Sequence, residues 1–386
     1  MHINRPSSAP DFLLSRTTGS VRTQGTLGTY HDAWDAVDDL VAGKIDMVVG
    51  AIPFDTTAPA ALTVPEKIIR DDGPLEPHSH YRFGPGSVLH ATTGQVHPDA
   101  EEHIRRVQAA VATIRKTPLD KVVLARAIDI AFDPPVDPLL VAARLITLSE
   151  NLDGFAADLS PAGEQFNGHM LVGSSPEVLI KKQGSTVTAF PLAGSLPRLA
   201  NRDQDQAQGA RLFSSAKDLD EHRFVVESLR KSLQPVCTDL SIPPRPTITR
   251  TAEMWHLATP VKATVADPSI TALELALKVH PTPAICGTPT HLAKELITTV
   301  EVPRNFYAGA VGWSDKHGDG EFMVAIRCAE VSGDGRAARA WAGGGITAGS
   351  DPEAELAETT DKLLTILRAL GLDKQATGHS GTNWDT

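Results

Sequence analysis

The stretch that decides the fold class spans residues 305–346 and reads NFYAGAVGWSDKHGDGEFMVAIRCAEVSGDGRAARAWAGGGI. Two short turns rich in glycine and aspartate separate three apolar segments, which are residues 305–313, 322–331 and 338–346. Apolar segments joined by turns of this composition are typical of neighbouring antiparallel strands. The sequence therefore predicts a three-stranded antiparallel meander in the last third of the chain.

Other parts of the chain have the apolar spacing of amphipathic helices, namely residues 98–116, 217–233, 269–280 and 352–370. Strands and helices do not alternate strictly, which disfavours a doubly wound nucleotide-binding fold. Antiparallel strands with helices in blocks predict an α+β fold, an α/β sandwich of antiparallel β-sheets flanked by helices. We expect a single catalytic domain over residues 1–372 and a disordered polar tail over residues 373–386.

The overall composition narrows the classes of partner. A formal net charge of −11 over 386 residues disfavours nucleic acid, whose binding requires a basic surface. No segment has the length and apolarity of a membrane span, and three scattered cysteines disfavour a disulfide framework. We therefore expect a cytoplasmic protein that binds a small molecule, with no nucleic-acid or membrane partner. The absence of a coiled-coil pattern favours a monomer.

Two charged side chains interrupt the apolar strand predicted over residues 120–130, DKVVLARAIDI. Both rows of alternating side chains are otherwise mainly apolar or small, yet Lys121 stands at the start and Arg126 in the middle. Either these charges extend to water or they line a binding site. The pattern alone leaves both interpretations open.

Two carboxylates in the last predicted helix could share one ligand. Glu355 and Glu358 are three residues apart and therefore lie on one helix face. A solvated acidic face that favours the helix dipole would have the same spacing, so both interpretations remain. Ser350 and Glu353 predict a capping box at the start of this helix.

Two further acids occupy unusual positions. Glu221 precedes Val225 by four residues and continues the apolar stripe of its helix, where a buried carboxylate must be paired, protonated or bound to a metal. Exposure in the first turn is the alternative. Glu177 follows Pro176 on a turn, where it could act as a general acid or be an ordinary turn residue. Several carboxylates without histidine or cysteine partners favour a hard cation such as Mg²⁺.

Groups that could bind an anion occur in three places. Arg327 lies within the apolar segment 322–331 and suits bidentate capture of a carboxylate. Residues 343–345 are three glycines between a predicted strand and a helix, where backbone amides could hold an anion or the chain could simply bend tightly. Gly194 and Ser195 offer backbone N–H groups and a hydroxyl without bulk.

Read in order, nine segments resemble the motifs of the chorismate-utilising enzymes; they are KVVLAR, SSPEVLI, FPLAGS, KDLDEHRFVV, WHLATPV, HPTPAICGTP, FYAGAVGW, GEFMVAIRCAEV and AGGGITAGSDPEAELAET. They cover roughly residues 85–370 in the order of the family. The family includes isochorismate, salicylate, anthranilate and aminodeoxychorismate synthases. The resemblance implies the chorismate-binding fold, with the active site in a cleft between the sheets.

The resemblance also implies roles for individual residues. Lys121 would be the base that activates water to attack C2 of the chorismate ring, and Glu177 the acid that protonates the departing C4 hydroxyl. Mg²⁺ would hold the ring carboxylate, and its implied ligands are Glu221, Glu355 and Glu358. The residues implied to contact the substrate are Gly194, Ser195, His256, Ala284, Tyr307, Arg327, Gly344 and Gly345. Among these, Arg327 and the backbone near the two last glycines would hold the enolpyruvyl carboxylate.

Particular positions distinguish the family members. Lys121 stands where the anthranilate type has glutamine, which implies water rather than ammonia as the nucleophile and no glutamine amidotransferase subunit. Ala193 stands where aminodeoxychorismate synthases have a lysine nucleophile. The strings WHLATP and HPTPA resemble the isochorismate synthase versions. The resemblance therefore favours an isochorismate synthase, an isomerase. The alternative is a salicylate synthase, which goes on to eliminate pyruvate.

Three further points follow once the motifs are assigned. A catalytically silent relative that only binds chorismate should have lost the base, the acid or a metal ligand, and none is missing here. Isochorismate feeds both siderophore and menaquinone synthesis, and the motifs do not separate these pathways. Arg126 receives no role from any motif. We interpret it as structural, paired with a carboxylate that the sequence does not identify.

Overall fold

The structure is a computed structural model that describes residues 5–83 and 87–372. The strands in these ranges are β1 (Phe12–Arg16), β2 (Gly19–Tyr30), β3 (Met47–Ile52), β4 (Ala61–Asp71), β5 (Ala91–His97), β6 (Lys121–Phe132), β7 (Gly154–Asp158), β8 (Met170–Gly173), β9 (Val178–Gln183), β10 (Thr186–Phe190), β11 (Leu192–Pro197), β12 (Cys237–Ser241), β13 (Thr247–Arg250), β14 (Met254–Ala258), β15 (Val261–Val265), β16 (Gly287–Thr288), β17 (Ala310–Asp315), β18 (Gly320–Val324), β19 (Cys328–Val331) and β20 (Ala337–Ile346). The helices are α1 (Ala33–Val41), α2 (Ser79–Arg82), α3 (Ala100–Ile114), α4 (Pro138–Leu148), α5 (Arg202–Arg211), α6 (Ala216–Leu233), α7 (Ala272–Val279), α8 (Thr290–Val300) and α9 (Pro352–Ala369). The predicted disordered tail, residues 373–386, lies outside the described residues.

Most strands join one antiparallel ladder. Its hydrogen-bonded neighbours follow in the order β5, β6, β20, β19, β8, β7, β1, β2, β4, β3, β17, β18, β9, β10, β15 and β12. The short strand β16 pairs with the start of β6, and β11, β14 and β13 form a separate small sheet. The N-terminal strands β1 to β4, which carry none of the nine motifs, lie in the middle of this ladder.

The ladder and the helices enclose two clusters of buried apolar side chains. The first contains residues of α1, α3, α6, α7 and α8, and the second contains residues of α4 and α9. Strand β6 contributes Val122 and Leu124 to the first cluster and Ile128 and Ile130 to the second. Side chains on both faces of β6 are buried over residues 121–128, which explains the continuous apolar composition of this part of the strand.

The four predicted helices are confirmed as α3, α6, α7 and α9, with ends within three residues of the prediction. The predicted capping box of α9 is wrong. Asp351, one residue later than Ser350, is the N-cap, and its carboxylate accepts a hydrogen bond from the Ala354 N–H. The Ser350 hydroxyl is therefore free to donate to Glu355 Oε1, at 2.7 Å. No helix in the described part of the chain is long and apolar enough to cross a membrane.

The meander prediction is wrong at its centre. Residues 322–331 do not form one strand, because the chain breaks at Arg327, which has a left-handed φ of 51°. The two halves join different neighbours: β18 pairs with β17 and β9, and β19 pairs with β20 and β8. The three glycines of residues 343–345 lie inside β20 opposite residues 123–125 of β6, not in a loop. Pairing with β6 extends the strand through them.

Candidate active site

One cavity collects most of the predicted site residues. Those that line it are Glu177, Gly194, Ser195, Glu221, His256, Ala284, Tyr307, Arg327 and Gly345. The remaining four, Lys121, Gly344, Glu355 and Glu358, are not part of its lining. Lys121 contacts the lining residue Glu221, and Glu358 pairs with Lys362, a lysine that lines the cavity. The structure thus brings the candidates from β6, β11, β14, β20, α6 and α9 into one region.

Lys121 and Glu221 form a buried ion pair beside this cavity. Their Nζ and Oε1 atoms are 3.1 Å apart, and the Lys121 side chain is 0% exposed. Burial opposes the charge of Glu221, but the ammonium of Lys121, helped by Lys217 and Lys362, holds the pKa of Glu221 below its usual value. The charge at the start of β6 therefore does not extend to water. It is matched by the acid on the apolar stripe of α6.

Gly345 makes the space in which this ion pair lies. A Cβ atom built on Gly345 would come 2.1 Å from Glu221 Oε1 and 2.9 Å from Lys121 Cε. Neither separation is tolerable for nonbonded atoms, so any side chain at residue 345 would displace the pair. This close approach is the physical reason for glycine at this point of β20.

Glu177 lies between β8 and β9 and is almost fully buried. Its backbone N–H donates to Ser175 Oγ at 3.2 Å, and its carbonyl accepts from the Val324 N–H at 3.1 Å, so the turn is held at both ends. Burial raises the pKa of Glu177 to about 7. A substantial fraction of this carboxyl therefore carries a proton at neutral pH, which is the state required of a general acid.

The small sheet contributes a paired hydroxyl and imidazole. Ser195 of β11 lies opposite His256 of β14, and Ser195 Oγ is 2.8 Å from His256 Nδ1. Burial lowers the pKa of His256 well below its ordinary value, so the ring is neutral. Its Nε2 atom is buried and has no hydrogen-bond partner within the described residues. This nitrogen is available to a ligand in the cavity. Gly194, which precedes Ser195, has a φ of 77° and lies where the pairing of β11 with β14 is irregular.

Arg327 and two aromatic rings form another part of the lining. Arg327 is 5% exposed, and its Nη1 donates to Thr365 Oγ1 at 3.2 Å. No carboxylate among residues 5–83 and 87–372 lies within ion-pair distance of it. The charges of Glu253 and Glu358 act on it only from a longer distance. A buried guanidinium that contacts no carboxylate is suited to a ligand carboxylate. Tyr307 stacks on Trp341 with ring centroids 5.6 Å apart and an interplanar angle of 7°.

Each candidate metal ligand is paired with one lysine. The nitrogen–oxygen distances are 3.1 Å for Lys121–Glu221, 2.6 Å for Lys217–Glu355 and 2.6 Å for Lys362–Glu358. Burial and the neighbouring charge of Glu358 raise the pKa of Glu355 to about 7, although the Lys217 ammonium acts in the opposite direction. We call these three glutamates and three lysines the Glu–Lys cluster.

The oxygens of the Glu–Lys cluster are of the type that Mg²⁺ prefers. Glu355 Oε2 is also buried without a hydrogen-bond partner, and it lies 2.9 Å from the position that a Cβ on Gly344 would occupy. These features fit a cation on the Gly344 side of β20. In the part of the chain that the structure describes, however, no three acidic, histidine or cysteine side chains converge as a ready-made ligand set.

Arg126 takes no part in the cavity. It is 1% exposed, and its Nη1 donates to Thr360 Oγ1 at 3.1 Å. The predicted carboxylate partner is wrong, since no ion pair joins Arg126 to an acid in the described ranges. Burial lowers its pKa to about 10. Arg126 also borders a wider surface depression, which contains none of the predicted site residues.

The comparisons with known proteins agree with the motifs. A family model described as chorismate binding enzyme matches residues 78–371. The chain belongs to the chorismate-binding enzymes. Within this family it is 42% identical over 379 residues to a Mycobacterium tuberculosis protein that has the provisional name isochorismate synthase MenF, with 97% of this chain and 99% of the relative covered. It is 42% identical to the isochorismate synthase DhbC of Bacillus subtilis, with 85% of this chain and 81% of the relative covered.

The fold comparison confirms the predicted class. The solved structure of the menaquinone-specific isochorismate synthase MenF of Escherichia coli superposes with a TM-score of 0.80 at 25% identity, and covers 94% of this chain and 89% of that one. Antiparallel sheets flanked by helices are therefore the architecture of this chorismate-binding enzyme, as the motif order predicted.

Sequence reasoning missed three charged or aromatic residues of the site. Lys362 and Trp341 line the cavity, and Lys217 pairs with Glu355 behind it. Lys362 follows Glu358 by four residues, a spacing that favours an ion pair and could have identified it. Lys217 precedes Glu221 by the same spacing. Trp341 gave no signal beyond an apolar strand position.

Proposed function

We propose that this chain converts chorismate to isochorismate, as an isomerase that adds water at C2 and removes the C4 hydroxyl. The observation that carries the proposal is that a buried lysine and a buried, partly protonated glutamate lie at one cavity. Lys121 contacts the lining residues Glu221 and Gly345, and Glu177 is itself a lining residue. The names of the two curated relatives support the same activity.

The chemistry requires one base and one acid. Lys121, in its neutral form, takes a proton from water while the water oxygen forms a bond to C2. The two ring double bonds shift, the C4–O bond breaks, and Glu177 gives its proton to the departing hydroxyl. Water is consumed and released, so the net reaction is an isomerisation.

The remaining residues would bind and orient the substrate. Arg327 would hold the enolpyruvyl carboxylate beside Gly345, and His256 Nε2 would donate or accept a hydrogen bond within the cavity. Tyr307 and Ala284 would contact the ring, and the Gly194–Ser195 segment would close the other side. Each of these residues lines the cavity.

We also propose that Glu221, Glu355 and Glu358 hold Mg²⁺. When bound, Mg²⁺ would neutralise the ring carboxylate of chorismate and fix its position. The carboxylate oxygens and the unpartnered Glu355 Oε2 support this assignment. Because Lys121 selects water, no amidotransferase subunit is needed, and we propose a monomer. The free cysteines 237, 286 and 328 suit a reducing cytoplasm.

Product analysis tests the proposal. Purified protein is incubated with chorismate and Mg²⁺, and the products are identified by NMR. Isochorismate is the expected product. Salicylate with pyruvate would indicate the salicylate synthase alternative, and unchanged chorismate would contradict an enzymatic role.

A further inference from the structure

Lys217 is the lysine of the Glu–Lys cluster that has no contact with the cavity. It lies in the first turn of α6, one turn before Glu221, and its Nζ is 2.6 Å from Glu355 Oε1. Lys362 lines the cavity, and Lys121 forms an ion pair with the lining residue Glu221, whereas Lys217 is not part of the lining and pairs with Glu355. A substrate in the cavity would therefore interact with the other two lysines and not with Lys217.

Lys217 acts instead on the carboxylates. Glu355 Oε1 accepts hydrogen bonds from both Lys217 Nζ and Ser350 Oγ, at 2.6 and 2.7 Å. These two hydrogen bonds fix the orientation of the carboxylate, with Oε2 facing Gly344. Oε2 is buried without a partner, in a side chain that is 1% exposed. Lys217 therefore determines which oxygen of Glu355 a cation could reach.

The charge of Lys217 also matters at longer range. Three glutamates are balanced by three lysines, so the Glu–Lys cluster carries no formal net charge in its fully ionised form. A balanced cluster attracts a divalent cation much less than three carboxylates alone would, because each ammonium repels the cation through a medium of low dielectric constant.

We infer that Lys217 is a positioning residue that orients Glu355 and weakens the affinity of the Glu–Lys cluster for Mg²⁺. The inference rests on the proposed function, in which these glutamates hold the metal. It implies that the cluster binds Mg²⁺ loosely by itself and gains affinity when a dicarboxylate substrate adds negative charge.

The test is calorimetric titration of Mg²⁺ into the substrate-free protein at pH 8, together with melting temperatures measured in EDTA. The variants are Lys217→Met, Lys217→Arg as the charge-retaining variant, and Lys231→Met as a control at an exposed position of the same helix. We expect Lys217→Met to bind Mg²⁺ at least about tenfold more tightly than the wild type. Its melting temperature in EDTA should fall, and Mg²⁺ should restore it.

The control outcomes separate the inference from the proposed function. Lys217→Arg and Lys231→Met should keep the wild-type affinity within about twofold. Should Lys217→Met fail to fold, Lys217→Gln takes its place with the same expectation. Equal or weaker Mg²⁺ binding by the neutral variant would overturn the inference and leave the proposed metal site standing. No Mg²⁺ binding by the wild type or any variant would overturn both.

Discussion

The ammonium of Lys121 and the carboxylate of Glu221 lie 3.1 Å apart, buried between the first residue of β6 and the first turns of α6. This contact joins the proposed base to a proposed metal ligand. A change in the charge of either side chain therefore shifts the pKa of the other. A metal or substrate that binds Glu221 would change the electrostatic surroundings of Lys121.

Replacing Lys121 should remove the water-adding step. We expect Lys121→Gln or Lys121→Ala to lower kcat by about 10²–10⁴, the usual contribution of a general base, while the fold survives. Chorismate consumption and circular dichroism measure the two effects. Lys116→Gln, an exposed lysine just before the same strand, is the control and should retain activity. Full turnover by Lys121→Ala would contradict the base assignment.

Glu177 should give the activity and the stability a pH dependence near 7. Its pKa in the substrate-free protein is raised by burial to about 7, so the proton that it must donate is lost as the pH rises through that value, and kcat/KM should fall above about pH 7. Glu177→Gln should remove most of the activity at every pH.

The same shift predicts a stability difference. Because the folded protein retains this proton to higher pH than the unfolded chain does, the ionised carboxylate destabilises the fold progressively between about pH 4.5 and 7. The free energy of unfolding of Glu177→Gln, relative to that of the wild type, should thus increase by on the order of 3 kcal/mol between pH 5 and pH 8. Urea unfolding at the two pH values measures it. If the difference in unfolding free energy between variant and wild type is the same at both pH values, Glu177 is not buried in its ionised form.

Removal of a metal ligand should abolish the response to Mg²⁺. Glu358→Ala and Glu221→Ala are expected to lose most activity and to be insensitive to added Mg²⁺, since the carboxylates that would hold it are reduced to two. Glu353→Ala, an exposed acid on the first turn of α9, should respond to Mg²⁺ like the wild type. If wild-type activity in EDTA equals activity with Mg²⁺, the metal assignment is wrong.

A single methyl group at residue 345 should displace the Lys121–Glu221 pair. Gly345→Ala places a carbon 2.1 Å from Glu221 Oε1, and a displacement of about 1 Å in an active site can lower the rate about 10²-fold. Gly349→Ala is the matched control, because a Cβ there meets nothing within 4 Å. Steady-state kinetics of both variants, with melting temperatures, make the comparison. Equal activity of the two alanine variants would contradict the close approach.

Much of this arrangement could be predicted because the relevant signals are local or ordered along the chain. The strand that begins at Lys121, the helices and the family motifs are all patterns of neighbouring residues. The position of Glu221 on an apolar stripe also indicated burial with a partner, with exposure in the first turn as the alternative, and the structure shows it buried. That its partner is Lys121 was not predicted, because this contact depends on how α6 packs beside β6.

Other features depend on contacts between distant elements, which the sequence does not contain. Arg327 adopts a left-handed φ although nothing in its apolar segment signals a break. The three glycines extend a strand because β6 pairs with them. Arg126 is held by the hydroxyl of Thr360 and not by an acid, since α9 brings that threonine to it.

The stacked rings of Tyr307 and Trp341 give the protein a built-in optical probe. Trp341 lines the cavity and is 3% exposed, so its indole emission depends on what the cavity contains. In the ranges that the structure describes, the other tryptophans, residues 34, 255 and 313, are not part of the cavity lining. Ligand entry can thus be followed by fluorescence without a label, and binding can be timed separately from turnover.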